Sequence, residues 1–183
     1  MSTGYQIDDQ NAMYFVTPTI VDWVDIFTRK IYREIITDSL NYCIKEKGLL
    51  VYGYVIMTNH LHLIIRSECG KLSGTIRDFK KFTAAKIIET IQSKPESRRE
   101  WMLHRFEWNA STNMRSSNNQ VWTHENHAEQ IFSLKFFNQK LNYLHENPVR
   151  AGWVTLPEDY IYSSASTLIK NAPGLLPISN WEL

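Results

Sequence analysis

Two runs of β-branched, aromatic and aliphatic residues, 49–57 and 61–67, are separated only by Thr58-Asn59, with His60 at the mouth of the second. Apolar runs of this length broken by a two-residue connection read as an antiparallel hairpin. Residues two apart on a strand share a face and lie about 6.5 to 7 Å apart along it, so a strand opening at His60 aims His60 and His62 at one point. Two convergent imidazoles make half of a metal site.

The other elements fall around this hairpin. Residues 12–17 are rich in strand formers and stop at Pro18, which cannot donate to a ladder. Tyr32, Ile36, Leu40 and Cys43 recur at helical spacing over Lys30–Lys47, and Gly48 supplies a helix stop. After the Gly70 turn, Leu72, Ile76, Phe79, Thr83 and Ile87 mark one face of a second helix that runs to Ser93. Residues 94–119 break the pattern and read as an insertion or mobile excursion, whose Trp101, Phe106 and Trp108 are expected to pack on the body rather than stack on bases. Residues 120–125 are a strand candidate, and a third helix over 133–146 is expected to end before Pro148. Strand, helix, strand, strand, helix, strand, helix is the order of an α+β ferredoxin-like βαββαβ sandwich with an antiparallel sheet and an added C-terminal helix. Residues 1–152 form one domain in this reading, and 153–183 form a tail laid on it with a short helix over 163–170.

Composition excludes several classes. With 43% hydrophobic and 13% aromatic residues the chain can fill a core, and no apolar run approaches the ~20 residues that span a bilayer. The polar residues 1–10 and the absence of such a run lead us to expect a cytoplasmic protein. Cys43 lies in a helical stripe and Cys69 in a turn, with no CxxC spacing, so both read as reduced thiols. The net charge of +1 is unevenly spread: 5 Lys/Arg against 7 Asp/Glu in 1–65, 10 against 5 in 66–105, and 5 against 7 in 106–183. All the excess positive charge sits in the middle segment, as expected for phosphate contact, although a solvated cationic face is the plain alternative.

The third helix carries the sharpest signal. Its apolar stripe is Leu134, Phe137, Leu141 and Leu144, and at about 100° per residue Tyr143 falls roughly 140° from the middle of that stripe. Tyr143 is thus off the core face and shares its side with Phe136, Lys140 and Asn147. Helical spacing alone makes Lys140 a candidate phosphate contact near Tyr143. Arg77 and Lys81, with Lys80 and Arg66 close in sequence, are candidates for tracking a nucleic-acid backbone.

The segments Met57-Thr58-Asn59-His60-Leu61-His62-Leu63 and Tyr143-Leu144-His145-Glu146-Asn147-Pro148-Val149-Arg150-Ala151-Gly152 resemble the two signatures of the single-tyrosine HUH transposases, where U is a hydrophobic residue. The second segment, together with Asp159-Tyr160-Ile161-Tyr162-Ser163-Ser164-Ala165, is similar in particular to the REP-associated tyrosine transposases. The resemblance implies Mg²⁺ or Mn²⁺ held by His60, His62 and Asn147, with Glu146 as the fallback third ligand. It implies Tyr143 as nucleophile, a 5′-phosphotyrosine intermediate, and single-stranded hairpin-forming DNA, such as REP-like palindromes, as partner. Monomers and homodimers both occur in the family. A domesticated relative that only binds hairpins, and a replication or relaxase-type HUH nuclease, are the alternative functions.

Plain structural readings stand beside these. His60 and His62 can be hydrogen-bonded strand histidines, Tyr143 an amphipathic surface tyrosine, and Asn147 a helix cap before Pro148. The cluster His124-Glu125-Asn126-His127 splits its two rings between faces and is not expected to bind metal. His145 projects about 200° from Tyr143 and is expected to serve packing or capping.

Overall fold

A computed structural model describes residues 6–112 and 118–181. Four strands, β1 Tyr14–Val16, β2 Leu49–Ile56, β3 Leu61–Ser67 and β4 Glu129–Gln130, form one sheet in the order β2-β3-β1-β4. Every pairing is antiparallel, the order and sense of a ferredoxin-like α+β sandwich. The hairpin register sets Val55 opposite His62 and Ile56 opposite Leu61, and Met57 N donates to His60 O at 2.9 Å to close the turn.

The pleat divides the strand residues between two layers. Val16, Leu63, Ile65, Leu49 and Val51 are buried and lie on the side covered by α1 (Lys30–Lys47) and α2 (Leu72–Ser93). Phe15, His62, Ile64 and Gly53 lie on the other side, against α4 (Leu134–Arg150). Gly53 permits that approach: a Cβ there would stand 2.6 Å from Leu141 Cδ1. A larger residue there would force Leu141 to move.

The fourth strand is not where the sequence pattern places it. Residues 120–125 make only an isolated bridge, Ile20 to Trp122, and run beside the 3-10 turns at 21–23 and 26–28 through Val21 N to Val121 O and Thr123 N to Thr19 O, both 2.9 Å. The edge of β1 is paired instead by Glu129–Gln130. Composition cannot separate the two, because the segment that wins is polar and very short.

The stretch 94–119, read as an insertion or mobile excursion, is partly helical over its described residues. It holds α3 (Arg99–Thr112), which buries Met102, Phe106 and Ala110, and residues 113–117 lie outside the described residues. Phe106 packs as expected, whereas Trp101 and Trp108 remain exposed. The connection into α3 is tied down by Glu96, whose carboxylate accepts from Arg29 Nη1 at 2.8 Å and Tyr32 Oη at 3.0 Å.

Helix α4 starts at an N-cap, with Ser133 Oγ accepting from Phe136 N, a contact worth about 1 kcal/mol. It runs through Pro148 to Arg150 rather than stopping before the proline. Pro148 sits in the last turn, where its missing N–H deletes a single ladder bond, and the following turn is closed by Ala151 N to Asn147 O and Trp153 N to Pro148 O. The tail after Gly152 lines the outer side of β2: Ile56 N donates to Tyr162 O, Ser164 N to Tyr54 O and Ser179 N to Val51 O. It contains α5 (Ala165–Lys170). No helix among the described residues is long and apolar enough to cross a membrane.

Candidate active site

His60 precedes β3 and pairs with Thr19 through a single bridge, while His62 is the second residue of β3. Their ring centres lie 4.8 Å apart. Hydrogen bonds hold each ring by Nδ1. The Asn59 side chain donates through Nδ2 to Trp23 O and to Asp25 Oδ1, both at 3.1 Å, which turns its Oδ1 onto His60 Nδ1 at 2.7 Å. An amide oxygen only accepts, so His60 carries its proton on Nδ1 and its Nε2 keeps a lone pair.

His62 is almost fully buried, with Nδ1 at 2.9 Å from Thr17 Oγ1 and its ring stacked on Phe15 at 5.2 Å. Burial, then the charges of His60, Lys140 and Arg150, push it down to about 3, and burial also lowers His60. Both imidazoles are thus neutral donors near pH 7, the form a divalent ion needs. Two neutral imidazoles can serve as two of the ligands of a divalent cation.

Tyr143, from α4, stands over this pair. Its ring centre is 5.3 Å from that of His62 and 6.0 Å from Phe15, and the residue is 43% exposed. Arg150 lies across it, with Cζ 4.7 Å from the ring centre and Nη2 donating to Tyr143 O at 2.9 Å. Asn147, one turn on, donates its Nδ2 to the same carbonyl at 3.0 Å. Glu146 is exposed on the neighbouring position. Among the described residues no group of three or more His, Cys, Asp or Glu is placed to hold a metal ion.

The sequence reading passes over Arg150, though its spacing of seven from Tyr143, two helical turns, was the available signal. His145, expected to serve packing or capping, packs. His145 is buried, its Nε2 lies 2.8 Å from Ser164 Oγ, and that hydroxyl accepts from Tyr54 N at 3.0 Å. Helix α4 is thereby keyed to β2 through the tail, which sets the rotation that leaves Tyr143 over His62.

The cationic candidates divide. Lys140 is engaged by Glu129 Oε1 at 2.6 Å and lies over Phe15 at 4.7 Å and Phe136 at 5.2 Å, so the spacing argument for a free phosphate contact meets a cation that already has partners. Lys80 is also engaged: it donates to Thr123 O at 2.6 Å and Asn126 Oδ1 at 2.8 Å, and burial pushes it down to about 8. Asn126 O in turn accepts from Thr17 N, and Thr17 Oγ1 meets His62. Lys80 therefore braces the loop behind the histidines. Arg77 and Lys81 are exposed on the wall of a groove of about 830 Å³ between α2 and residues 119–128. Arg66 donates through Nε to Asn11 O at 2.8 Å and is exposed. The structure does not gather these three around Tyr143.

No protein-family model matches the chain and no curated protein does. Among solved structures, the chain is similar to a REP-associated tyrosine transposase bound to a REP hairpin, over 98% of this chain and 93% of that one, with a TM-score of 0.65 and 14% sequence identity. At that identity the likeness establishes a common fold. Within that fold His60, His62 and Tyr143 are brought together at the sheet.

Proposed function

We propose that this chain is a metal-dependent endonuclease and strand transferase of the single-tyrosine HUH kind, acting on single-stranded DNA beside hairpins. The observation that supports the reading best is the meeting of three signature residues from separate elements, His60 and His62 with rings 4.8 Å apart and Tyr143 5.3 Å from His62. A strand histidine pair with a structural role alone has no need of an exposed tyrosine on top of it.

Tyr143 Oη attacks the scissile phosphorus and gives up its proton. The P–O3′ bond breaks as the Tyr143 Oη–P bond forms, leaving a 5′-phosphotyrosine and a 3′-hydroxyl that takes up a proton. A positive charge beside the nucleophile assists the attack, and the Arg150 guanidinium supplies one. The ester retains the energy of the broken bond, so a DNA 3′-hydroxyl reverses the step and joins strands without a nucleotide cofactor. His60 and His62 would hold the cation, with Asn147, or Glu146 as the fallback, as the third side chain. A bound Mn²⁺ or Mg²⁺ would supply Lewis-acid assistance to the phosphate.

The test is incubation of the protein with DNA hairpins bearing single-stranded flanks, with and without Mn²⁺. A protein–DNA adduct that survives denaturation, needs the cation and vanishes in Tyr143→Phe is the expected result. An adduct that persists in Tyr143→Phe removes Tyr143 as nucleophile, and hairpin binding with no adduct under any condition leaves a binding protein.

A further inference from the structure

Trp23 stands beside the histidine pair with 66% of its surface exposed. Its ring centre is 6.0 Å from that of His60 at an interplanar angle of 72°. The backbone there is unfavourable: Asp22 and Trp23 both take left-handed conformations, with φ of 53° and 55°. A bulky residue rarely accepts that geometry unless its surroundings enforce it. They do so here through the Trp23 carbonyl, which accepts from the same Asn59 amide that orients His60. The backbone is held there and the indole is left in water, next to the histidine pair.

Helix α3 adds a second part. Trp101, Arg105 and Trp108, at spacings of four and three, lie on one face, with Trp101 47% and Trp108 60% exposed. The Arg105 guanidinium lies 5.9 Å over the Trp101 ring. The two parts join at Asp22, whose carboxylate accepts from Asn109 Nδ2 at 2.9 Å and pairs with Arg105 at 3.6 Å.

We propose that Trp23 is a stacking platform for an unpaired nucleobase next to the phosphate held at His60 and His62, and that the Trp101, Arg105, Trp108 face of α3 receives the adjoining single strand. The inference rests on the single-stranded DNA reading of the site and names what recognises the strand there. Fixed aromatic faces alternating with a cation match a single strand, which alternates π faces with phosphates and offers a stacking face whatever its sequence. A protein partner would ask instead for a contiguous apolar patch.

Binding of oligothymidylate of about 12 nucleotides, followed by tryptophan fluorescence, tests it. Wild-type protein binds with quenching, Trp23→Ala binds on the order of tenfold more weakly, and Trp23→Phe keeps the affinity within about twofold but loses part of the quenching. Circular dichroism confirms that both variants fold. Trp23→Ala binding as tightly as wild type, or wild type not binding at all, overturns the platform. A protein that binds and quenches as expected but never forms a Tyr143 adduct retains the platform and loses the nuclease reading.

Discussion

The amide oxygen of Asn59 accepts the Nδ1 proton of His60 at 2.7 Å, and two acceptors on the amide nitrogen, Trp23 O and Asp25 Oδ1, hold it in that orientation. Partners behind a metal-binding imidazole fix its tautomer and ring plane, and their loss weakens metal binding about 10- to 100-fold. Asn59→Ala is therefore expected to reduce Mn²⁺ affinity by that range in calorimetric titration while leaving the fold intact. Unchanged affinity would show that the ring orients itself.

Arg150 serves Tyr143 twice, through its ring face and its carbonyl. Arg150→Ala should slow adduct formation about tenfold, the order expected for one partly exposed cation over an aromatic ring. Lysine cannot offer both contacts from one planar group, so Arg150→Lys should recover only part of the rate. Time courses of adduct formation, with melting temperatures to confirm folding, decide the matter. Equal rates in all three proteins would remove Arg150 from the mechanism.

Lys140 connects α4 to β4 through Glu129 and lies over Phe15. Its side chain is only 16% exposed, so the ion pair is worth more than a fully exposed one. We expect Lys140→Ala to cost about 1 to 3 kcal/mol in denaturant unfolding and the Lys140–Glu129 double-mutant cycle to show coupling. Unaltered stability combined with weakened DNA binding would return Lys140 to the role of phosphate contact.

Glu96 makes stability depend on pH. Burial alone would raise its carboxyl, but hydrogen bonds from Arg29, Arg98 N and Tyr32 outweigh it and hold the group below the usual carboxylate range. A depressed carboxyl contributes stability that is present above the unfolded value, about 4.5, and is lost as pH falls through the folded one. Tyr32 has the opposite sign: burial, then the Glu96 carboxylate, push it up to about 12, so its contribution is lost between about 10 and 12. Melting curves across pH should show both losses in wild type. Glu96→Gln should flatten the acid limb, and an acid limb identical to wild type would place the sensitivity elsewhere.

Local pattern was enough for the hairpin, for α1 and α2 and for the convergence of His60 and His62, because strand alternation and the helical repeat act over a few residues and need no distant partner. The off-stripe position of Tyr143 was legible for the same reason. What sequence could not reveal were choices settled by distant contacts. Glu96 reads as a solvated charge until Arg29 and Tyr32 close around it and turn residues 94–98 into the lead-in of a packed helix. Glu129–Gln130 becomes the fourth strand only because β1 has an open edge there. Lys80 and Lys140 look like free cations until carbonyls and a carboxylate take them up. The chain by itself determined which residues are candidates for the proposed chemistry. Tertiary structure decided which cations were left exposed, and set Tyr143 over His62 by keying α4 to β2 through His145 and Ser164, since the free energy of a buried polar group depends on its partners rather than on its neighbours in sequence.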